Sequence, residues 1–193
     1  MGSMRTLARP GRAKLVERRS RFLAFAYPVS TEGEIEALLA ALRREYHDAQ
    51  HIAYAWRLPH KERADDAGEP AGSAGRPVLR LLQGEGLEGV LVAVVRYFGG
   101  VKLGVGGLAR AYRAAAKGAL EAAGIVERVR QVQVRLRLPN GRVGEALAVL
   151  GMLGARVRAQ GYDGEAILVV ALPENEVERL RRALSPWAKV EEG

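Results

Sequence analysis

Residues 90–107 read VLVAVVRYFGGVKLGVGG and contain the pattern that decides the fold. Residues 90–95 form a continuous apolar run, which is typical of a central strand buried on both faces of a sheet. The glycine-dense loop 99–107 then leads into an alanine-rich helix that we expect to end near Gly124. Because alanine side chains are small, this helix can approach a sheet closely, and the segment predicts a mixed α+β domain.

Short patterns on both sides of this segment predict further strands and helices. Residues 22–29 are an apolar strand pattern, and Thr31 has the capping-box spacing of a helix N-terminus. Residues 51–58 alternate between the two faces of a strand. Residues 59–76 are polar and rich in glycine and proline, and we expect them to form a long loop, with a short helix starting at Pro77.

The last third of the chain shows a different order of elements. Strand alternation and helical stripes predict strand, helix, strand, strand, helix and strand, over residues 132–138, 143–150, 156–162, 166–172, 174–184 and 187–190. This βαββαβ order is that of the ferredoxin-like unit. We therefore predict an α+β chain of two domains, residues 4–128 and residues 129–193, of which the second is ferredoxin-like.

The composition excludes several classes of protein. The chain has 193 residues, of which 48% are hydrophobic and 27% charged, a balance typical of folded chains. It contains no cysteine, so disulfides, thiol catalysis and iron–sulfur clusters are excluded. Its apolar runs are far shorter than the roughly 20 residues of a membrane helix, and its start does not have the pattern of a signal segment. We expect a cytoplasmic chain with no membrane partner.

The charge distribution indicates an anionic partner. The chain has 30 Lys and Arg against 22 Asp and Glu, and its net charge is +8. Between Arg96 and Lys117 the bases are not accompanied by any acid. Arg110, Arg113 and Lys117 fall at i, i+3 and i+7 and share one helix face. Glycines before a helix leave backbone N–H groups open to an anion, so this segment predicts a phosphate-contacting surface.

The candidate binding residues are the bases, glycines and tyrosines of this segment, together with three residues from neighbouring motifs. Two of the tyrosines, Tyr97 and Tyr112, are candidates for stacking on bases. The full set is Arg96, Tyr97, Gly99, Gly100, Lys102, Gly104, Gly106, Gly107, Arg110, Tyr112, Arg113 and Lys117, with Glu69, Arg76 and His51.

Patterns for catalysis, cofactors and metals are weak by comparison. Residues 104–109 match a GxGxxG/A dinucleotide pattern, but they lie too far from the preceding strand for the fingerprint. Ser73 lacks the glycine spacing of a nucleophile elbow. The carboxylates of residues 65–69 are expected to be solvated, and His47 and His51 have no third metal ligand in sight. We predict no catalytic residue, no metal and no cofactor.

Several motifs together closely resemble the IMPACT family, in its bacterial YigZ-type branch. Residues 68–77 read GEPAGSAGRP, and residues 96–108 read RYFGGVKLGVGGL. Residues 20–22 (SRF) and 48–51 (DAQH) fit the same family pattern, so the resemblance covers essentially the whole chain. One departure is that the family usually has paired acids before Gly-Glu-Pro, where this chain has Asp66-Ala67.

The resemblance implies both a fold and a function. The first domain is expected to be similar to domain IV of elongation factor G, and the second to domain V of that factor. Eukaryotic IMPACT proteins regulate translation by competing for an activator of an initiation-factor kinase. They do so through an additional N-terminal domain, so that partner is not expected here. For bacterial members the resemblance suggests contact with nucleic acid or the ribosome and implies no catalytic activity.

We therefore predict a non-catalytic protein that contacts RNA or the ribosome, with possible translation regulation, through a basic glycine-rich surface. One alternative is an enzyme for a small phosphorylated or carboxylated substrate, with Asp66, Glu69 and His51 near the glycine-rich loop. A third possibility is an interaction module whose basic face binds an acidic protein partner. An enzyme would need a deep pocket with converging carboxylates, whereas a nucleic-acid binder would need an open basic surface.

Overall fold

The computed structural model describes residues 3–193, which divide into two units, Arg5–Glu127 and Arg128–Gly193 with residues 3–4. The chain up to the boundary forms β1 (Ser3–Leu7), β2 (Gly11–Glu17), β3 (Ser20–Pro28), α1 (Glu32–Glu45), β4 (His51–Leu58), β5 (Lys61–Asp65), α2 (Gly75–Gly84), β6 (Val90–Tyr97), α3 (Gly104–Ala123) and β7 (Ile125–Val129). Strands β1 and β7 pair with each other.

The sheet of the first unit has the strand order β2-β3-β6-β4-β5, and each neighbouring pair is antiparallel. Strand β6 lies at its centre, and its residues 90–95 are fully buried. The predicted central strand is therefore confirmed. Because β6 is antiparallel to both neighbours, its last residues and the glycine-rich loop that follows lie beside the first residues of β3 and β4.

Helices cover both faces of this sheet. Helix α1 packs Ile35 and Leu39 against one face, where they join Trp56 and Leu91 in one apolar core. Helices α2 and α3 cover the other face and form the larger core with alternate residues of β3, β4 and β6. Thr31 caps α1 as predicted, because its hydroxyl accepts a hydrogen bond from the backbone N–H of Glu34 at 3.2 Å.

Small residues let α3 lie directly against the edge strand β2. A Cβ atom built on Gly11 would lie 2.3 Å from the backbone nitrogen of Ala123. One built on Gly118 would lie 2.9 Å from the Cβ atom of Ala13. The close helix packing expected from the alanine-rich sequence is therefore observed, and it fixes α3 over this edge of the sheet.

The structure corrects three expectations for the first unit. Residues 59–76 are not one long loop, because residues 61–65 form β5, which pairs with β4 in a tight hairpin. Helix α2 begins at Gly75 rather than at Pro77, since Asp66 accepts hydrogen bonds from the N–H groups at its start. Helix α3 begins at Gly104, so the last three glycines of the predicted loop belong to its first turn.

The second unit contains β8 (Gln131–Leu138), α4 (Val143–Met152), β9 (Arg156–Tyr162), β10 (Ala166–Pro173), α5 (Val177–Leu184) and β11 (Lys189–Glu192). Its antiparallel sheet has the order β11-β8-β10-β9. The observed element order is the predicted βαββαβ. Inward residues of β8 and β10, such as Leu136 and Leu168, form one core with α4 and α5. Throughout residues 3–193, every helix is too short or too polar to span a bilayer.

Candidate binding site at the glycine-rich loop

Asp66 organises the loop that leads into α2. Its carboxylate accepts hydrogen bonds from the backbone N–H groups of Gly72 at 2.8 Å, Ala74 at 3.1 Å and Gly75 at 2.9 Å. Burial raises the pKa of Asp66, but these backbone donors outweigh that effect and hold the pKa below its usual value. The carboxylate is thus used to hold the loop and begin the helix, so Asp66 has a structural role.

The same loop buries the side chain of Glu69 in the first unit. Ala67 and Gly68 both have positive φ angles, of 50° and 85°, and they turn the chain inward. The Glu69 side chain is only 1% exposed, and its Oε1 atom lies within reach of three side chains from separate elements. The partners are Arg96 Nη1 at 2.5 Å, His51 Nε2 at 3.2 Å and the Tyr112 hydroxyl at 3.3 Å. We call these four residues the Glu69 cluster.

His51 is held between two acceptors. Its Nδ1 lies 2.8 Å from the carbonyl oxygen of Ala67, and its Nε2 faces the Glu69 carboxylate. A neutral imidazole has one N–H donor, whereas the imidazolium has two. The Ala67 carbonyl oxygen and the Glu69 carboxylate therefore both accept a hydrogen bond from His51 only when both ring nitrogens carry a proton. Both ring nitrogens of His51 are therefore engaged by oxygen atoms of the protein itself.

Arg96 was expected to offer its charge to a partner, and its burial corrects that expectation. Its side chain is 7% exposed, and its charge is already compensated by Glu69. The guanidinium lies 5.7 Å from the ring centroid of Phe22 and 5.5 Å from that of Phe98. Its Nη2 is 3.5 Å from the Ser20 hydroxyl, and among the described residues its buried Nε has no hydrogen-bond partner.

Tyr112 was a candidate for stacking on a base, and the structure excludes that role. Its side chain is fully buried, with its ring edge-on to Phe22 at a centroid distance of 5.1 Å. Burial, and then the adjacent Glu69 carboxylate, raise the pKa of the Tyr112 hydroxyl far above its usual value. The hydroxyl therefore remains protonated and donates to Glu69.

The glycine-rich loop is anchored by residues from the other short motifs. A Cβ atom on Gly99 would lie 2.1 Å from the backbone of Arg19, and the Gly99 N–H donates to the Ser20 hydroxyl at 3.3 Å. Gln50 accepts from the N–H of Phe98 at 3.0 Å. Tyr97 donates to Asp48 at 2.8 Å. Gly100 has a φ of 85° at the turn of the loop.

A pocket of about 460 Å³ opens between this loop, the Glu69 cluster and the start of α3. Its apolar wall consists of Pro70, Phe98, Leu103, Val105 and Leu108. Its polar residues are Gln50, His51, Glu69, Arg96 and Lys102, with Gly68 and Gly104 completing the lining. Five predicted site residues, His51, Glu69, Arg96, Lys102 and Gly104, therefore meet in one pocket.

The first turn of α3 is positively charged and open. It lacks a side-chain cap and an acidic residue, and Lys102 is exposed just before it. The guanidinium of Arg110 folds back over this turn, since a Cβ atom on Gly106 would lie 3.3 Å from Arg110 Nη1. Further along the helix, Arg113 and Lys117 are exposed, and within residues 3–193 these four bases form no ion pair.

The remaining candidates are not brought into the pocket. Arg76 is exposed on α2 and does not line it, and neither does Asp66. Among the described residues no group of three His, Asp or Glu side chains is placed to hold a metal ion. Sequence reasoning missed Ser20, Gln50 and Phe98 as site residues. The signal was present, because all three belong to the short motifs that carry the family resemblance.

Comparison with known proteins gives concordant matches. Residues 18–120 match the Impact N-terminal domain. A Thermus thermophilus protein described as an IMPACT family member is 48% identical over 138 residues, covering 72% of this chain and 74% of that protein. The Escherichia coli IMPACT family member YigZ is 29% identical over 177 residues, covering 89% and 87% of the two chains. A crystal structure described as a hypothetical protein superimposes with a TM-score of 0.82 at 28% identity, over 99% of this chain and 97% of that one.

Proposed function

The chain belongs to the IMPACT family, in its YigZ-like branch, and on that premise we propose that it is a non-catalytic protein that contacts RNA or the translation machinery. The observation that carries the proposal is the exposed basic face of α3. Arg110, Arg113 and Lys117 lie along it without ion pairs in residues 3–193, and Lys102 continues it towards the glycine-rich loop. We call these four residues the basic stripe.

The spacing of the basic stripe suits a charged backbone. At about 1.5 Å of rise per residue, Arg110 and Lys117 are separated by roughly 10 Å along the helix axis. Contacts between such bases and phosphates position a nucleic acid without reading its sequence. Binding through this face would therefore depend strongly on salt and little on base sequence.

Ribosome contact is the further part of the proposal. The family resemblance implies that the two units share the folds of domains IV and V of elongation factor G, which works on the ribosome. The translation-regulating role of the eukaryotic members agrees with such a contact. Under this proposal the chain acts by occupying a site on the translation machinery rather than by chemistry.

The Glu69 cluster gives the enzyme alternative less support. Glu69 is paired with Arg96 and contacts His51, and Asp66 holds backbone N–H groups. A general acid or base needs a free proton-transfer group facing the pocket, and the two groups of the cluster are already engaged.

The test is co-sedimentation with ribosomes and binding to total RNA at several salt concentrations. Wild type is compared with the triple variant Arg110→Ala, Arg113→Ala, Lys117→Ala. The control variant, Arg43→Ala, Arg44→Ala, Arg80→Ala, removes the same charge from exposed positions on α1 and α2.

We expect the stripe variant to lose binding and the control to retain it. In the stripe variant the slope of log K against log salt should be shallower by about 2, since three phosphate contacts are lost and each contact with a single strand contributes about 0.7. Absence of binding by wild type at low salt, or equal losses in both variants, contradicts the proposal. Capture of an acidic protein in place of ribosomes or RNA would identify the chain as a protein-interaction module.

A further inference from the structure

We propose that the pocket at the start of α3 binds a single phosphorylated nucleotide unit, with its phosphate on the first turn of the helix and its base against the apolar wall. This inference deepens the proposed function. It rests on that function where the nucleotide unit belongs to a bound RNA strand. A free mononucleotide offers the same chemistry and is the other source of such a unit.

Positive charge accumulates at the start of α3. The N-terminus of a helix carries free N–H groups and a partial positive charge, which favour an acidic side chain or a bound anion. Here the first turn has neither an acid nor a side-chain cap. Lys102 precedes it and Arg110 folds back over Gly106. Accumulation of positive charge at the positive end of the helix is unfavourable until an anion binds, and a phosphate matches both the charge and the N–H donors.

The backbone of this turn is open to such an anion. Gly104 has a φ of 72°, and a Cβ atom built on it would meet nothing within 4 Å. Gly104 and Gly106 are exposed and present no side chain that would cover the N–H groups. A phosphate can therefore reach the backbone directly.

Arg96, Glu69 and His51 form a polar floor of the same pocket, independently of the helix. Arg96 lines the pocket with a side chain that is 7% exposed, yet in the described part of the chain its Nε lacks a hydrogen-bond partner. Glu69 is paired with Arg96, and His51 contacts the same carboxylate, so the floor does not present an uncompensated negative charge to a ligand. A buried donor without a partner costs free energy, and a ligand that reaches Arg96 and supplies an acceptor would remove that cost.

The pocket also has an apolar wall, which a phosphate alone would leave uncovered. Phe98 is 47% exposed and Val105 56% exposed, and both line the pocket with Leu103, Leu108 and Pro70. The volume of about 460 Å³ is that of a small-molecule site. An aromatic ring next to a phosphate-binding turn is the arrangement that stacks a nucleobase.

The pocket also offers a group that can read the edge of a base. The Gln50 side-chain oxygen accepts from Phe98, which leaves the amide NH₂ of Gln50 without a protein partner in residues 3–193. An amide donor beside an aromatic ring can pair with an acceptor on a base. The ligand class is thus an anion with a flat, partly polar ring system.

The experiment is a titration of the full chain, by NMR chemical shifts and calorimetry, with AMP, GMP, CMP and UMP. Adenosine and inorganic phosphate are titrated separately. We expect the mononucleotides to bind at least tenfold more tightly than either part alone, with shifts confined to Gln50, residues 98–110 and the Glu69 cluster. Inorganic phosphate binding as tightly as the mononucleotides, or absence of binding by all of them, overturns the inference.

Two variants test the assigned contacts. Val105→Glu places a carboxylate in the first turn of α3, where it suits the helix dipole and preserves the fold. We expect it to weaken mononucleotide binding at least tenfold with an unchanged or higher Tm. Leu147→Glu, at an exposed apolar position on α4, is the control and should bind normally. Phe98→Ala should weaken binding of every mononucleotide by about tenfold, as expected for lost base stacking.

The source of the nucleotide is identified with RNA oligomers and the variant Arg113→Ala, Lys117→Ala. Loss of RNA binding in this variant with mononucleotide binding retained supports both the pocket and the basic stripe. Mononucleotide binding by a wild type that does not bind RNA supports the pocket and contradicts the proposed function. RNA binding that is insensitive to Val105→Glu and Phe98→Ala, when both variants have lost mononucleotide binding, supports the proposed function and identifies the free mononucleotide as the source.

Discussion

Arg96 donates to Glu69 in an ion pair that is almost entirely removed from solvent, with side chains 7% and 1% exposed. Such a pair loses its hydration on folding, so it is held together only while both charges are present. His51 and Tyr112 bind the same carboxylate oxygen. Through these contacts the Glu69 cluster connects β4, β6 and α3 with the loop before α2.

Glu69→Gln should strongly destabilise the first unit. It leaves the buried Arg96 guanidinium uncompensated, and loss of one partner of a buried pair costs about 3–5 kcal/mol. The measurement is urea unfolding followed by fluorescence of the buried Trp56, in a Trp187→Phe background. Glu85→Gln removes an exposed partner of Arg5 and should cost about 0–1 kcal/mol. Equal losses in the two variants would show that the Glu69 cluster adds little to stability.

Asp66→Asn should lower stability at neutral pH, and the loss should shrink in acid. The folded-state pKa of Asp66 lies below the usual 3.8, so its stabilising contribution is fully present above that value. It disappears as the pH falls from 3.8 through the lower folded-state pKa. Unfolding curves between pH 7 and pH 2 measure the gap between the variant and wild type. A gap that stays constant over this range would contradict the assignment, and Glu36→Gln provides an exposed carboxylate as control.

Tyr112→Phe should have the opposite pH dependence. Loss of the hydrogen bond to Glu69 is expected to cost about 1 kcal/mol at neutral pH. The Tyr112 pKa is raised in the folded state, so above the usual 10.0 the unfolded chain releases a proton that the folded chain retains. Wild type therefore loses this contribution as the pH rises beyond 10, whereas the phenylalanine variant does not. Stability measured at pH 7.5, 9 and 11 checks this; a gap unchanged at pH 11 would contradict it.

Gly11→Ala should separate α3 from β2. Its new Cβ atom would lie 2.3 Å from the Ala123 backbone nitrogen, and neither element can move without disturbing the core. We expect a loss of about 1–3 kcal/mol, as for other overpacked sites. Gly84→Ala, at a helical position with nothing within 4 Å, should be neutral or stabilising by up to about 1 kcal/mol. Both variants are compared by thermal unfolding.

Elements with a strong local pattern could be predicted from the sequence. Residues 90–95 are apolar without interruption because β6 is covered on both faces. Strands β8 and β10 of the second unit alternate because each has one buried face. Strands β2 and β5 were missed because both lie at the edges of the sheet. Much of their surface is exposed, and their charged residues hide the alternation.

The composition of the site was only partly predictable. The candidate pocket lies at the segment that the glycines and bases of residues 96–117 had indicated, and its role stays a prediction. The burial of Tyr112 and Arg96 did not follow from the sequence, because helical spacing and net charge do not reveal which polar side chain meets a buried partner. That partner, Glu69, is 27 residues from Arg96 and 43 from Tyr112 in the chain. Local patterns contain no information on contacts at that separation.

The wide spacing of the residues around Arg96 has a consequence for how the protein is made. Ser20 and Arg96 are 76 residues apart, and Tyr112 lies further along the chain. Contacts between distant parts of a chain form late, because closing a long loop costs conformational entropy before the contact can stabilise the chain. During synthesis the floor of the pocket cannot assemble until α3 has been translated. Binding competence should therefore appear in one late step, and a nascent chain that ends before α3 should bind no nucleotide.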